Sequence, residues 1–173
     1  MGKIDINAIN NANVYINGTS LLGRTEEITL PDISMIVQER KALGIVGKIE
    51  LPFGFDKMEG TIKWNSFYPD VGKLVANPFK SYQLQCRSNV QRYGSQGIIE
   101  EVPMVTWLTV MFKKNPMGAY KQHESPDFTS GFSCTYVKQV FDGDDVIELD
   151  VLANIFKVNG EDMLADYRAN IGA

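Results

Sequence analysis

The chain has 173 residues and a formal net charge of −4, so it has no overall basic field that could attract phosphate backbones. Its 44% hydrophobic and 22% charged residues are typical of a globular domain and exclude a disordered, fibrous or collagenous chain. We expect one domain over residues 1–173, because a chain of ~150 residues can bury roughly 70% of its unfolded surface.

The first fifteen residues show neither a secretory signal nor a myristoylation pattern. The most apolar stretch, residues 103–112, is about half as long as the ~20 residues of a membrane-spanning helix. We therefore expect no membrane segment. The two cysteines, Cys86 and Cys134, stand at alternate apolar positions of predicted strands, which predicts buried free thiols in an intracellularly made chain.

Most of the chain alternates apolar and polar residues, and turn-forming Gly, Pro, Asn and Asp separate the runs. This pattern is typical of an antiparallel β protein. Asn17-Gly18 predicts a tight hairpin turn, and Lys41–Gly44 predicts a second turn. The predicted strands cover residues 14–16, 28–30, 33–40, 45–51, 58–64, 82–93, 102–112, 128–141 and 146–157.

Two of these strands carry sharper expectations about burial. Residues 102–112 are almost uniformly apolar, which predicts a strand covered on both faces. The last strand, residues 146–157, follows the turn Asp142–Asp145 and forms a hairpin with residues 128–141. Its apolar residues alternate with Glu148, Asp150 and Asn154, which predicts one buried and one polar face.

Two short helices complete the prediction. Residues 68–76 have Pro69 in the first turn and apolar residues at helical spacing. Residues 163–170 form the second helix, with Leu164 and Tyr167 on its packing side and Gly172 as its stop. The predicted class is therefore all-β with one or two short helices.

The sequence offers little that could perform catalysis. The single histidine, His123, lies in a polar loop, and no nucleophile motif accompanies it. Adjacent carboxylates in a strand point to opposite faces, and the turn Asp142–Asp145 lacks the ligand spacing of a calcium loop. We predict no enzyme activity, no cofactor and no metal site. The pattern favours a structural or assembly protein.

The chain resembles, nearly end to end, the major tail tube proteins of contractile-tailed bacteriophages and of R-type tailocins. The C-terminal blocks are the most specific part of the resemblance. The matching blocks are Ile9–Gly18, Glu27–Pro31, Ala42–Gly47, Asn115–Lys121, Tyr136–Lys138, Asp142-Gly143, Ile147–Asp150, Asn159–Asp162, Leu164–Arg168 and Ile171-Gly172.

The resemblance implies an antiparallel β-sandwich or barrel whose hexameric rings stack into a hollow tube inside a contractile sheath. DNA then crosses the lumen into the host cell without stable binding. The implied partners are further copies of the chain and the sheath, tail terminator, baseplate and tape-measure proteins. The implied location is the virion tail, after assembly in the host cytoplasm. Two alternatives stay open: a type VI secretion tube-like protein, which shares the fold, and a monomeric β-barrel that binds a ligand.

Two candidate surfaces follow from this interpretation. Apolar residues at the turn of the second hairpin predict a ring-stacking contact, formed by Ala42, Leu43, Gly44, Ile45, Val46 and Gly47. The polar residues Glu148, Asp150 and Asn154 are candidates for the lumen wall. Alternation alone is equally compatible with these three facing the sheath or solvent.

Overall fold

Antiparallel strands make up most of the structure, a computed structural model that describes residues 4–173. Two short helices, α1 (Pro69–Val75) and α2 (Ala165–Ile171), accompany them. This confirms the predicted all-β class. The strands are β1 (Ile6–Ile16), β2 (Thr19–Ser20), β3 (Thr25–Thr29), β4 (Met35–Arg40), β5 (Ile49–Phe55), β6 (Met58–Trp64), β7 (Ser81–Gly94), β8 (Gly97–Lys114), β9 (Phe128–Phe141), β10 (Asp144–Asp150), β11 (Ile155–Val158) and β12 (Glu161–Asp162).

Ten of these strands form one sheet, in the order β12-β11-β10-β9-β8-β7-β1-β2 with a branch at β9. Along one edge of β9, residues 128–134 pair with β6, and residues 136–141 pair with β10. β6 also pairs with β3. β4 and β5 pair only with each other and form a separate two-stranded sheet.

The core lies on one face of the large sheet, where the apolar residues of β1, β6, β7, β8 and β9 meet. Helix α1 adds Val71 and Val75 to this cluster. Phe132 and Ile62 have no exposed surface. The indole nitrogen of Trp64 donates a hydrogen bond of 2.8 Å to the Ser130 hydroxyl, so this buried N–H is paired.

Strand β6 has the predicted bounds, residues 58–64, and the predicted alternation of buried and exposed side chains. Met58, Ile62 and Trp64 are buried, whereas Glu59 and Thr61 are exposed. Such alternation arises because successive side chains of a strand point to opposite faces.

The predicted burial of β8 on both faces is wrong for the isolated chain. Leu108, Val110 and Phe112 are buried in the core, whereas Trp107 and Met111 on the opposite face each expose more than a third of their surface. The apolar run is therefore half covered within one subunit.

The predicted strand over residues 146–157 is also wrong, because the chain turns back after Asp150. The Asp150 carboxylate accepts hydrogen bonds from the backbone N–H groups of Leu152 and Ala153, at 3.0 and 3.1 Å. Asn154 adopts a left-handed φ of 52°, and Ile155 then pairs with Asp150. An Asp side chain that closes its own turn competes with strand extension.

Helix α2 ends as predicted, at Gly172 with a left-handed φ of 73°. Its predicted packing through Tyr167 is wrong, because half of the Tyr167 surface is exposed. The helix is held instead by Arg168, which donates to the Asn154 carbonyl at 2.8 Å and forms an ion pair with Asp162.

Candidate assembly surfaces

The β4–β5 hairpin extends from the large sheet as a separate element, and we call residues 34–55 the arm. Every residue from 34 to 53 is exposed. At its base, the backbone N–H of Asp56 donates to the Ser34 carbonyl at 2.8 Å, and the Phe55 ring contacts the Phe156 ring edge-on at 4.8 Å. The arm therefore depends on the body of the subunit only at its base.

Both faces of the arm carry exposed apolar side chains. The register places Val37 opposite Pro52 and Glu39 opposite Glu50 on one face, with a bulge between Ile36 and Val37. An apolar surface of this kind marks an interaction site. The large exposed apolar residues are Met35, Ile36, Val37, Leu43, Ile45, Val46, Ile49, Leu51 and Phe53.

The predicted ring-stacking residues 42–47 all lie in the loop at the tip of the arm, between β4 and β5. All six are exposed, and Leu43 and Val46 are exposed completely. Gly44 adopts a left-handed φ of 83°, which suits glycine. The structure thus brings these residues together at one exposed point, and their contact with another ring stays a prediction.

Sequence reasoning missed the rest of the arm. Met35, Ile36 and Phe53 are exposed although they lie within strands. The consecutive apolar residues 35–37 could have indicated this, because a strand with one buried face alternates instead.

The three candidate lumen residues are only partly brought together. Glu148 and Asp150 lie on the same face of β10, opposite the core residue Leu149. Asn154 belongs to the following turn, where its carbonyl binds Arg168. The predicted common strand face for all three is therefore wrong, because Asp150 ends the strand.

The charges on this polar face compensate one another. The Glu148 carboxylate accepts a hydrogen bond from the Tyr136 hydroxyl at 3.0 Å and lies 3.8 Å from the Lys157 ammonium. Lys138 forms an ion pair with Asp145 at 3.3 Å. Burial, with the Glu148 carboxylate as the second cause, raises the pKa of Tyr136 to about 12. The face is polar without a strong local field of either sign.

The histidine and the two cysteines, which were considered as possible catalytic or metal-binding residues, do not form a site. His123 is exposed in a loop with a left-handed φ of 64°. Cys86 and Cys134 are buried free thiols, as predicted, and burial raises the pKa of Cys134 to about 11. Within residues 4–173, three or more His, Cys, Asp or Glu side chains nowhere converge in a way that could hold a metal ion. No helix in that range is long and apolar enough to cross a membrane.

Comparisons with known proteins agree on one family. The sequence model of the family described as phage tail tube protein FII matches residues 6–172. The tail tube protein of Escherichia phage P2 is 27% identical over 164 residues, which cover 92% of this chain and 94% of the P2 protein.

Two solved structures of an extracellular contractile injection system share the fold. A chain of the extended PVC sheath-tube complex aligns with a TM-score of 0.56 at 10% identity, over 75% of this chain and 88% of the other. A chain of the extended PVC sheath/tube terminator aligns with the same TM-score and identity, over 75% and 92%.

Proposed function

Because its match to the family model spans residues 6–172, the chain belongs to the phage tail tube protein FII family, and we propose that six copies form a ring and that rings stack into a tube. The chain is a structural subunit of a contractile tail tube. The family match carries this conclusion. We propose a structural role without enzyme activity, in a virion tail whose tube lies inside a sheath.

Unpaired strand edges support assembly into rings. β2 pairs only with Tyr15 and Ile16, so the outer edge of β1 has no partner strand along residues 6–13 in the described chain. Ile6 and Ile9 on this segment each expose about 60% of their surface. Free edges and exposed apolar residues favour contact with a further subunit. A closed ring covers such edges, so no unpaired strand edge is left to which further subunits could add without limit.

The exposed arm supports contact between successive rings. Leu43 and Val46 at its tip are fully exposed in the subunit, and burying them against another subunit removes apolar surface from water. We propose that residues 42–47 form the ring-stacking contact.

The experiment replaces Leu43 by Asp. In Leu43→Asp the free subunit folds with unchanged circular dichroism and thermal midpoint, because the side chain is fully exposed. Rings form, and tubes fail to elongate in negative-stain microscopy, because a buried unpaired charge costs several kcal/mol. A variant that unfolds, or one that builds tubes of normal length, contradicts the stacking role. Wild-type protein that stays monomeric at high concentration in size-exclusion chromatography and light scattering contradicts ring formation and favours a monomeric binding module.

The compensated polar face supports a lumen through which DNA passes without stable binding. Six chains of formal charge −4 give a ring of −24, and contacts that neutralise phosphates are what hold DNA in place. We propose that Glu148 and Asp150 line the lumen and that Asn154 lies at its margin. Tight DNA binding by assembled tubes at physiological salt contradicts this assignment.

The partners follow from the same assignment. We propose that the tube assembles in the host cytoplasm with the tail sheath, terminator, baseplate and tape-measure proteins. The fold shared with a sheath-tube complex and a sheath/tube terminator supports the sheath and terminator contacts.

A further inference from the structure

The ladder between β7 and β8 connects two ends of the subunit that differ in charge. At one end Ser81 pairs with Met111, and at the other end Gly94 pairs with Gly97. The 14 residues of β7 separate the two ends by ~40 Å. Contacts within a ring are proposed for the strand edges, so the strand ends remain free to face the adjoining rings.

The end at Gly94 and Gly97 is acidic, and we call residues 4–7, 91–101 and 141–145 the acidic end. Arg92 holds its parts together, because it forms ion pairs with Glu100 and with Asp142 of the β9–β10 turn. The Glu100 carboxylate raises the pKa of Arg92, with smaller contributions from Asp142 and Asp5. The three ranges contain one positive and six negative residues, a formal charge of −5, namely Asp5, Arg92, Glu100, Glu101, Asp142, Asp144 and Asp145.

The subunit does not neutralise the acidic end. Arg92 and the neighbouring Lys138 pair with three of the six carboxylates. The other three, Asp5, Glu101 and Asp144, form no ion pair within residues 4–173 and are exposed. The acidic end therefore keeps a negative charge after its ion pairs are counted.

The other end of the ladder is basic, and we call residues 73–81 and 111–117 the lysine end. These two ranges contain four lysines and no acidic residue. Lys113 forms an ion pair with Glu59. The remaining three lysines are exposed and form no ion pair in the part of the chain that the structure describes: Lys73, Lys80 and Lys114.

The charged residues around the lysine end do not cancel these lysines. Arg24 pairs with Asp70, and Lys121 pairs with Glu124. The remaining carboxylates of this region, Glu26, Glu27 and Asp127, face Lys63 on β6. The unpaired positive charge therefore lies at the ends of β7 and β8 and on α1.

Exposed apolar residues accompany the charges at both ends. Ile6, Ile98 and Ile99 each expose more than half of their surface at the acidic end. Phe79 and Met117 expose 94% and 80% of theirs at the lysine end. Apolar residues gain free energy when another molecule covers them. Each end therefore has the composition of a contact surface, and the two ends have opposite charges.

We infer that the acidic end of each subunit contacts the lysine end of a second copy of this chain in the adjoining ring, and that these charges fix the polarity of the tube. The inference rests on the proposed function, because it needs rings that stack. Two rings that meet through their acidic ends, or through their lysine ends, bring like charges together and repel each other. Rings therefore add in one orientation, and the head-to-tail contact can repeat along the tube.

The first test reverses the charge of each end separately. One variant carries Asp5→Lys and Asp144→Lys, and the other carries Lys80→Glu and Lys114→Glu. All four side chains are exposed, so circular dichroism and the thermal midpoint stay unchanged and rings form. Like charges then meet at every ring boundary, and the critical concentration for tube growth rises roughly tenfold or more.

The second test combines the four substitutions in one chain, which makes the ends complementary again with their signs exchanged. The combined variant grows tubes near the wild-type critical concentration, although each parent variant does not. In ~1 M NaCl, where the Debye length falls to ~3 Å, both parent variants approach the critical concentration of the wild type. General damage to the subunit produces neither recovery.

The matched control carries Glu161→Lys and Asp166→Lys, which change the net charge by the same amount as the acidic-end variant. Both residues are exposed and belong to β12 and α2, outside the two ends. The control grows tubes at the wild-type concentration. A control that loses tubes assigns the effect to net charge and overturns the inference.

The other outcomes separate the inference from the proposed function. Normal tube growth by either parent variant overturns the inference, and so does a combined variant that assembles as poorly as its parents. Loss of rings in a folded parent variant also overturns it, because the contact then lies within a ring. In each case wild-type tubes leave the proposed function intact. Wild-type protein that forms neither rings nor tubes overturns both.

Discussion

Strand β6 and the arm are both built from short strands that contain apolar residues, yet the apolar residues of β6 are buried and most of those in the arm are exposed. In β6 the inward side chains of Met58, Ile62 and Trp64 are buried. In the arm every residue from 34 to 53 is exposed. β6 has a partner strand on each edge, β3 and β9, whereas β4 and β5 have only each other. Edge pairing, rather than composition, decides which apolar residues stabilise the subunit.

The apolar residues of the chain fall into two groups, those buried in the core and those exposed on the arm. Those in the core contribute to the free energy of unfolding of the subunit. Apart from the anchor residue Phe55, those in the arm are exposed in the subunit and add to stability mainly where a second molecule covers them. A two-stranded hairpin is marginally stable alone in water, so the arm depends on its anchor at Phe55 and Phe156. Substitutions in the two regions should therefore affect different measurements.

The largest effect is expected from Phe132→Ala in the core. Phe132 is fully buried and packs edge-on against Phe112 at 6.2 Å. Its removal leaves a cavity and lowers the free energy of unfolding by ~3–5 kcal/mol, measured by urea denaturation. The matched control is Phe53→Ala in the arm, which changes that free energy by less than ~0.5 kcal/mol. Equal losses of unfolding free energy in the two variants would contradict the distinction between core residues and arm residues.

A smaller effect is expected from Ser130→Ala. The Ser130 hydroxyl is the acceptor for the indole N–H of Trp64, and its removal leaves a buried donor unpaired. The free energy of unfolding falls by ~1–3 kcal/mol. In a Trp64→Phe background the Ser130→Ala change costs less, because no indole N–H is left unpaired. Ser34→Ala, at an exposed position at the base of the arm, serves as the control.

Tyr136 on the polar face should make the stability of the subunit fall at alkaline pH. Burial and the Glu148 carboxylate raise the pKa of Tyr136 from 10.0 to about 12. Below pH 10 the phenol is protonated in both states, so its contribution is fully present. Between pH 10 and about 12 the unfolded chain loses the proton first, so stability falls as pH rises.

The check compares urea midpoints of the wild type and Tyr136→Phe across this range. The variant lacks the tyrosine contribution to the decline, so its midpoint falls less steeply. Titration of the phenolate absorbance gives an independent reading, with one tyrosine ionising later than the others. Parallel declines in the two proteins contradict the assigned cause.

The smallest effect is expected from Val37→Thr in the arm. About half of the Val37 surface is exposed, and threonine has nearly the same shape and strand propensity. The free energy of unfolding changes by less than ~0.5 kcal/mol. A thermal midpoint lower by several degrees indicates that the arm packs on its own subunit, which contradicts its role as a free surface.

The sequence predicted the strands and turns well, but it did not predict where some strands end or which strands pair. Alternation placed β6 and β9 correctly, and Asn17-Gly18 and Asp142-Gly143 form the expected turns. The end of β10 was missed, because Asp150 bonds to the backbone of its own turn. The alternation of apolar and polar residues does not indicate where a side chain will bond to the backbone and end a strand.

The candidate site shows the same limit. The tip residues 42–47 were predicted from apolar residues at a turn, and the structure places them at one exposed point. The exposure of Met35 was indicated only weakly, by the consecutive apolar residues 35–37, because it depends on β4 and β5 having no third strand beside them in the described chain. Phe67 and Met117, fifty positions apart in the chain, line one groove beside helix α1, and only the fold brings them together.

The proposed stacking contact requires that the arm stays exposed on free subunits without causing them to precipitate. Pro52 takes one N–H donor out of β5, and the bulge beside Val37 breaks the regular ladder. Proline, bulges and charged residues such as Arg40 are devices that keep exposed strands from pairing with strands of other molecules. Recognition of the arm is then left to its side chains. With the proposed stacking contact, free subunits can stay in solution without forming amyloid-like fibres until they meet the end of a tube.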